Sequence, residues 1–112
     1  MATQLKQLLS DKQLVTILLP KFFNDGQRIP NKIFKQTFNE ILDLFGGYSI
    51  GSTVKGAWKD NNKIYKDENI TVNIITDNFD ELTLNTLINN LKERFKQLEI
   101  YTTLQNIKYI NL

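Results

Sequence analysis

Glu68 is the carboxylate that the strand pattern sets on an apolar face. It shares parity with Ile70, Val72 and Ile74 in the run "KIYKDENITVNII", while Tyr65, Asp67, Asn69, Thr71 and Asn73 take the other parity. A carboxylate among apolar neighbours is costly unless paired or hydrogen-bonded. Unpaired, its pKa rises toward the range where a general acid or base works. The chain has no histidine and no cysteine. Thiol nucleophiles, disulfides, thiolate metal sites and imidazole chemistry are therefore excluded, and proton transfer would fall to Glu, Asp, Lys or Tyr. In a pocket between sheet and helices, Glu68 would be the acid or base. Trp58 and Tyr48 would be the walls, Gly56 would be among the ligand-binding residues, and Arg28 or Lys66 would hold an anion. The structural alternative is simpler: Glu68 lies near the strand's start and reaches solvent, pairs with Lys66 or Arg28, or is turned outward by a bulge at Asp67-Glu68.

The neighbouring motifs carry less. Four of the five glycines and the single tryptophan lie between residues 46 and 58. "GGYSIG" runs from a helix into a strand, the reverse of a phosphate-binding loop, so Gly46-Gly47 reads as a helix stop. Gly51 and Gly56 inside a strand signal a bulge, an edge or a close backbone approach. "DNNKIYKDEN" lacks the ligand spacing of a calcium loop. The exposed parity of residues 63–75 offers Tyr65 among acidic and amide groups, a poor stacking platform for RNA. Net charge is +2 with both signs dispersed, which gives no electrostatic footprint for nucleic acid or a membrane surface. A nuclease on this layout would need an acidic residue ending the first strand, where Pro20-Lys21 stands. No cofactor and no metal is expected.

The elements that position these residues follow from periodicity. Residues 1–12 read as a short helical lead-in, with Leu5, Leu8 and Leu9 at helical spacing. They show neither the charged start nor the apolar centre of a signal peptide, and apolar runs elsewhere are far below a membrane span of ~20 residues, so the expected location is cytoplasmic. "QLVTILLPKFF" has apolar residues on both faces, as in a central strand. Asn24-Asp25-Gly26 is a turn and Pro30 opens a helix whose stripe is Phe34, Phe38, Ile41 and Phe45. A strand with Tyr48, Ile50, Val54 and Trp58 on one parity follows, then a turn at Asp60-Asn61-Asn62 and the strand carrying Glu68. Residues 81–97 form a second helix, striped by Leu84, Leu87, Ile88, Leu91 and Phe95. "EIYTTLQNIKYINL" reads as the last strand.

The order β-α-β-β-α-β in 112 residues predicts a single α+β domain of ferredoxin-like layout, residues 1–112, with a four-stranded antiparallel sheet and both helices on one face. The hairpin poses a register problem. A two-residue Asn61-Asn62 loop sets Trp58 opposite Tyr65 and Val54 opposite Asn69, so that an apolar face meets a polar one. An odd loop or a bulge resolves this. With an odd loop, Glu68 points toward the helices beside Gly56 and Trp58, within reach of the indole N–H.

Asp25-Gly26, Gly56-Ala57-Trp58, and Glu68 followed by Ile70-Thr71-Val72 resemble the pattern of a family of small uncharacterised bacterial proteins, a domain of unknown function, across about residues 15–100. Many of its members are exported, a feature residues 1–12 do not share. The resemblance implies no activity, only that Gly56, Trp58 and Glu68 belong together. With no complete catalytic constellation, the chain reads as a non-enzymatic binding or assembly protein. The bare sheet face or an edge strand would pair two copies into a homodimer, with any further small-molecule or protein partner unassigned. The alternative is the small enzyme built on Glu68.

Overall fold

Val15, Ile17 and Leu19 alternate with half-buried neighbours, and each is fully buried. That alternation makes strand β1 (Leu9–Pro20) the centre of the sheet. Both of its edges are paired with neighbouring strands, and Leu14 and Leu18 on its outward parity are half-buried. This is a computed structural model, and it describes residues 8–77 and 79–111. The other elements are helix α1 (Asn31–Phe45), strands β2 (Ser49–Asp60) and β3 (Lys63–Thr76), helix α2 (Glu81–Arg94) and strand β4 (Thr102–Ile110). The sheet runs β2-β3-β1-β4 with antiparallel pairing throughout. This is the ferredoxin-like α+β arrangement.

Residues 1–7 of the expected helical lead-in lie outside the described residues. Leu9–Lys12 correct that expectation: they are extended and belong to β1, paired with residues Ile107–Ile110 of β4. Leu9 and Ile110 meet across the ladder, and the sheet hydrogen bonds outweigh a helical spacing too short to nucleate alone.

Both helices cover one face. Ile41 from α1, Leu87 and Leu91 from α2, and Phe95 just beyond it close over Val15, Ile17, Leu19, Val72 and Ile74. Each such aliphatic side chain contributes about 1.5–3 kcal/mol when removed from water. Helix α1 stops where Gly46 turns left-handed at φ 83° and its N–H returns to the Leu42 carbonyl. Helix α2 starts at Asp80, whose carboxylate accepts from the Leu82 N–H at 3.1 Å and the Thr83 hydroxyl at 2.7 Å.

A polar clip joins the two helices. Arg94 donates to the hydroxyl of buried Thr37 at 3.0 Å and sits 2.9 Å from Glu40. Thr37 donates back to the Ile33 carbonyl, and Asn90 adds a bond to Glu40. Phe34 meets Phe95 edge to face at 5.4 Å. No helix among the described residues is long and apolar enough to cross a membrane.

The helices do not reach the outer half of the β2–β3 hairpin. All twelve residues of β2 are exposed. The hairpin therefore projects as an arm, and the chain measures 56 × 31 × 23 Å with a radius of gyration of 16.7 Å. A compact chain of this length would have about 13 Å.

Candidate functional site

The arm is built by two local choices of sequence. Asn61 and Asn62 both take positive φ, 50° and 63°. Asparagine tolerates this geometry, and two successive left-handed residues make the tight turn whose twist matches a hairpin. Pairing then runs outward from Asp60↔Lys63 through Trp58↔Tyr65, Gly56↔Asp67, Lys55↔Glu68 and Val54↔Asn69. Below this the register shifts: Thr53 pairs with Ile70, but Ile50 pairs with Val72. Gly51 and Ser52 therefore face the single residue Thr71, which is a β-bulge.

The bulge reverses the sidedness of β2. Below it, Tyr48 stacks on Phe38 of α1 at 4.8 Å, on the helix side, and Ile50 sits opposite buried Val72. Above it, Val54, Gly56 and Trp58 lie on the opposite face of the sheet. The register conflict is thus resolved by the bulge and not by an odd loop. A three-residue Asp60–Asn62 loop would set Trp58 opposite Ile64, Val54 opposite Glu68 and Ile50 opposite Val72, and only the last of these pairs forms.

This corrects the proposed grouping of Gly56, Trp58 and Glu68. Glu68 keeps the parity of Ile70, Val72 and Ile74, as read from the sequence. Gly56 and Trp58 are on the other face, so Glu68 is not the partner of the indole N–H. The ion pair of Glu68 is with Lys55, 3.6 Å away, where Lys66 or Arg28 was expected. Lys55 is 79% exposed and Glu68 29% exposed, so this pair contributes at most about 1 kcal/mol. The Glu68 backbone carbonyl also accepts from Lys21 N–H at 3.0 Å, tying the arm's base to the end of β1.

The opposite face carries Tyr65 and Asp67, read from the sequence only as a poor stacking platform. Trp58 lies flat on Tyr65, centroids 4.3 Å apart and planes 13° from parallel. The Lys63 ammonium stands over the same tyrosine ring at 5.2 Å. A Cβ on Gly56 would come within 2.6 Å of an Asp67 carboxylate oxygen, so glycine there lets Asp67 fold across β2. Trp58 remains 53% exposed above this group. The signal for the set is the Asn61-Asn62 turn: counted outward from two loop residues, 58 meets 65, 56 meets 67, and 55 meets 68, the register that posed the apolar-to-polar conflict and that the bulge makes possible.

The remaining predicted site residues are apart. Tyr48 is committed to its stack on Phe38. Arg28 is exposed in the β1–α1 loop, where it bridges Phe22 and where Gly26, at φ 87°, makes the turn. Lys66 is exposed opposite Ala57, on the Glu68 side of the arm. An open groove of about 680 Å³ runs along α1 past Lys32, Lys35, Glu40 and Arg94, and a second of about 780 Å³ lies by Asp80, Leu84 and Thr102. Neither reaches Glu68. Among the described residues no three acidic side chains gather where a metal ion could be held.

The fold recurs in a phage SAM lyase in complex with S-methyl-5'-thioadenosine. The TM-score is 0.64 at 13% identity, over 88% of this chain and 89% of that one. CutA1 from Oryza sativa superposes at TM-score 0.62 and 16% identity, over 93% and 86% of the two chains. The divalent cation tolerance protein CutA1 from Thermus thermophilus does so at 0.59 and 10%, over 86% and 84%. At these identities the likeness shows the fold alone. No protein-family model and no curated protein sequence matches the chain.

Proposed function

We propose that this protein is a non-enzymatic binding or assembly module that works as a homo-oligomer, joined through the β2–β3 arm and the helix-free sheet face. One observation carries the reading: β2 is exposed along its whole length, yet Ile50, Val54 and Trp58 on it are large apolar residues, 40–53% exposed in the single chain. Ile64 across the hairpin is 64% exposed. A two-stranded ribbon is marginal in water, and an apolar edge strand invites pairing unless something covers it. A further copy of the chain covers it at no additional genetic cost and closes by symmetry, the homodimer being the smallest closed form. A cytoplasmic location belongs to the same proposal, and cell fractionation of a tagged chain tests it.

Light scattering after size exclusion, at micromolar concentration, is expected to give a multiple of the protomer mass. A monomeric mass would remove the proposal.

A second reading, an enzyme using Glu68, draws on the architecture shared with the phage SAM lyase. That is an analogy of fold, and function resides in the site rather than the fold. S-adenosylmethionine incubated with the protein tests it. Consumption that disappears in Glu68→Gln supports the enzyme, and no consumption by the assembled protein removes it.

A further inference from the structure

The two faces of the arm differ in charge, and the β-bulge sets which residues lie on which. One face carries Lys55, Lys59 and Lys66 against the single carboxylate Glu68. The other carries Asp60 and Asp67 against the single ammonium of Lys63, around the Trp58–Tyr65 stack. Among the described residues neither Asp67 nor Lys59 nor Lys66 has an ion pair or hydrogen bond of its own. Two arms meeting through like faces would bring lysines to lysines or aspartates to aspartates, and like-charge contacts across an interface cost several kcal/mol. Two arms meeting through unlike faces would bring lysines onto carboxylates and onto an aromatic stack, where an ammonium is attracted by the ring face. The chain makes that last contact within itself, with Lys63 over Tyr65 at 5.2 Å and Lys12 over Tyr109 at 4.3 Å.

We infer that the arm is a head-to-tail connector: its lysine face docks on the acidic, aromatic face of the next copy's arm. The assembly is then heterologous, with each copy giving one face and receiving on the other, so it forms a ring where the rotation closes, in place of the two-fold homodimer named above as the smallest closed form. The inference rests on the self-association proposed above and specifies its geometry. Trp58 is the anchor of the receiving face, because a large half-exposed aromatic ringed by charge is the usual centre of such a contact. Asp67, folded over Gly56, is its charged neighbour.

Paired charge reversals test the inference. Lys55→Glu with Lys59→Glu alters only the giving face. Asp60→Lys with Asp67→Lys alters only the receiving face. Each variant alone is expected to fall to protomer mass at micromolar concentration, about a tenfold or greater rise in dissociation constant. An equimolar mixture is expected to regain higher mass, because each altered face then finds its complement. Helical circular dichroism checks the fold of each variant. Should a double reversal lose it, Lys59→Gln and Asp67→Asn are read for the same rise in dissociation constant. If the lysine-face variant keeps the wild-type mass, the lysine face takes no part in the contact, and the head-to-tail geometry falls while self-association stands. Failure of the mixture to reassemble also overturns it. A monomeric wild-type chain would remove both readings.

Discussion

Arg94 shows how much one side chain can carry when a partner is buried. Its guanidinium donates to the hydroxyl of fully buried Thr37 and forms an ion pair with the half-buried carboxylate of Glu40 at 2.9 Å, so it links the two helices. Arg94→Ala removes the donor and leaves both groups behind. A loss of about 1–3 kcal/mol is expected, the cost of unsatisfied buried polar atoms, seen as a lower urea midpoint with unchanged slope. Asp80 acts at the surface and through pH. Its hydrogen bond from Thr83, and then that from the Leu82 amide, hold its pKa below the usual carboxylate value. The folded pKa is depressed, so its contribution is complete above the unfolded carboxylate pKa near 4 and disappears as pH falls through the lower folded value. Asp80→Ala is expected to flatten the acid limb of the stability profile and to leave the neutral-pH helix start weaker. Thermal melts from strongly acidic to neutral pH would check this, and an unchanged acid limb would contradict it.

At the scale of elements, the sequence made most of the fold legible. The helix stripes through Phe34, Phe38 and Ile41 and through Leu87 and Leu91 survive as the buried faces, because amphipathic periodicity is a direct consequence of covering a sheet. Leu9–Lys12 misled for the opposite reason. Their helical spacing was local, and the pairing that decided against it came from residues near 110, which no local pattern reveals. The site was half legible. The parity of Glu68 on β3 was right, and the conflict between β2 and β3 was visible together with its two solutions. The choice between them was not, because a bulge is set by what lies beneath it: Tyr48 must reach Phe38 while the Asn61-Asn62 turn holds the tip in register. Deletion of Ser52 is therefore expected to break one of these two anchors. Loss of the Tyr48 stack alone should cost about 1 kcal/mol or more, measured as a lower denaturation midpoint and a changed tyrosine signal. A stability equal to wild type would show that the bulge is dispensable.

For the whole molecule, shape and stability are linked through the arm. If assembly covers the arm, binding stabilises the folded state by mass action, and the melting temperature rises with protein concentration. Melts across a roughly hundredfold dilution series check this. A melting temperature independent of concentration would mean that the protomer stands alone. The strand order β2-β3-β1-β4 has one more effect, on time rather than on energy. The β2–β3 hairpin pairs neighbours in the chain, so it can form within microseconds. Strand β1 waits for both of its partners: Val15 meets Ile74 on one side and Leu104 on the other. On the ribosome β1 emerges first and is completed last, and until β4 is released its apolar central strand has one open side. The interval between synthesis of Pro20 and release of Ile110 is thus when this chain most needs protection from aggregation, and slowing translation after β3 should lower its soluble yield.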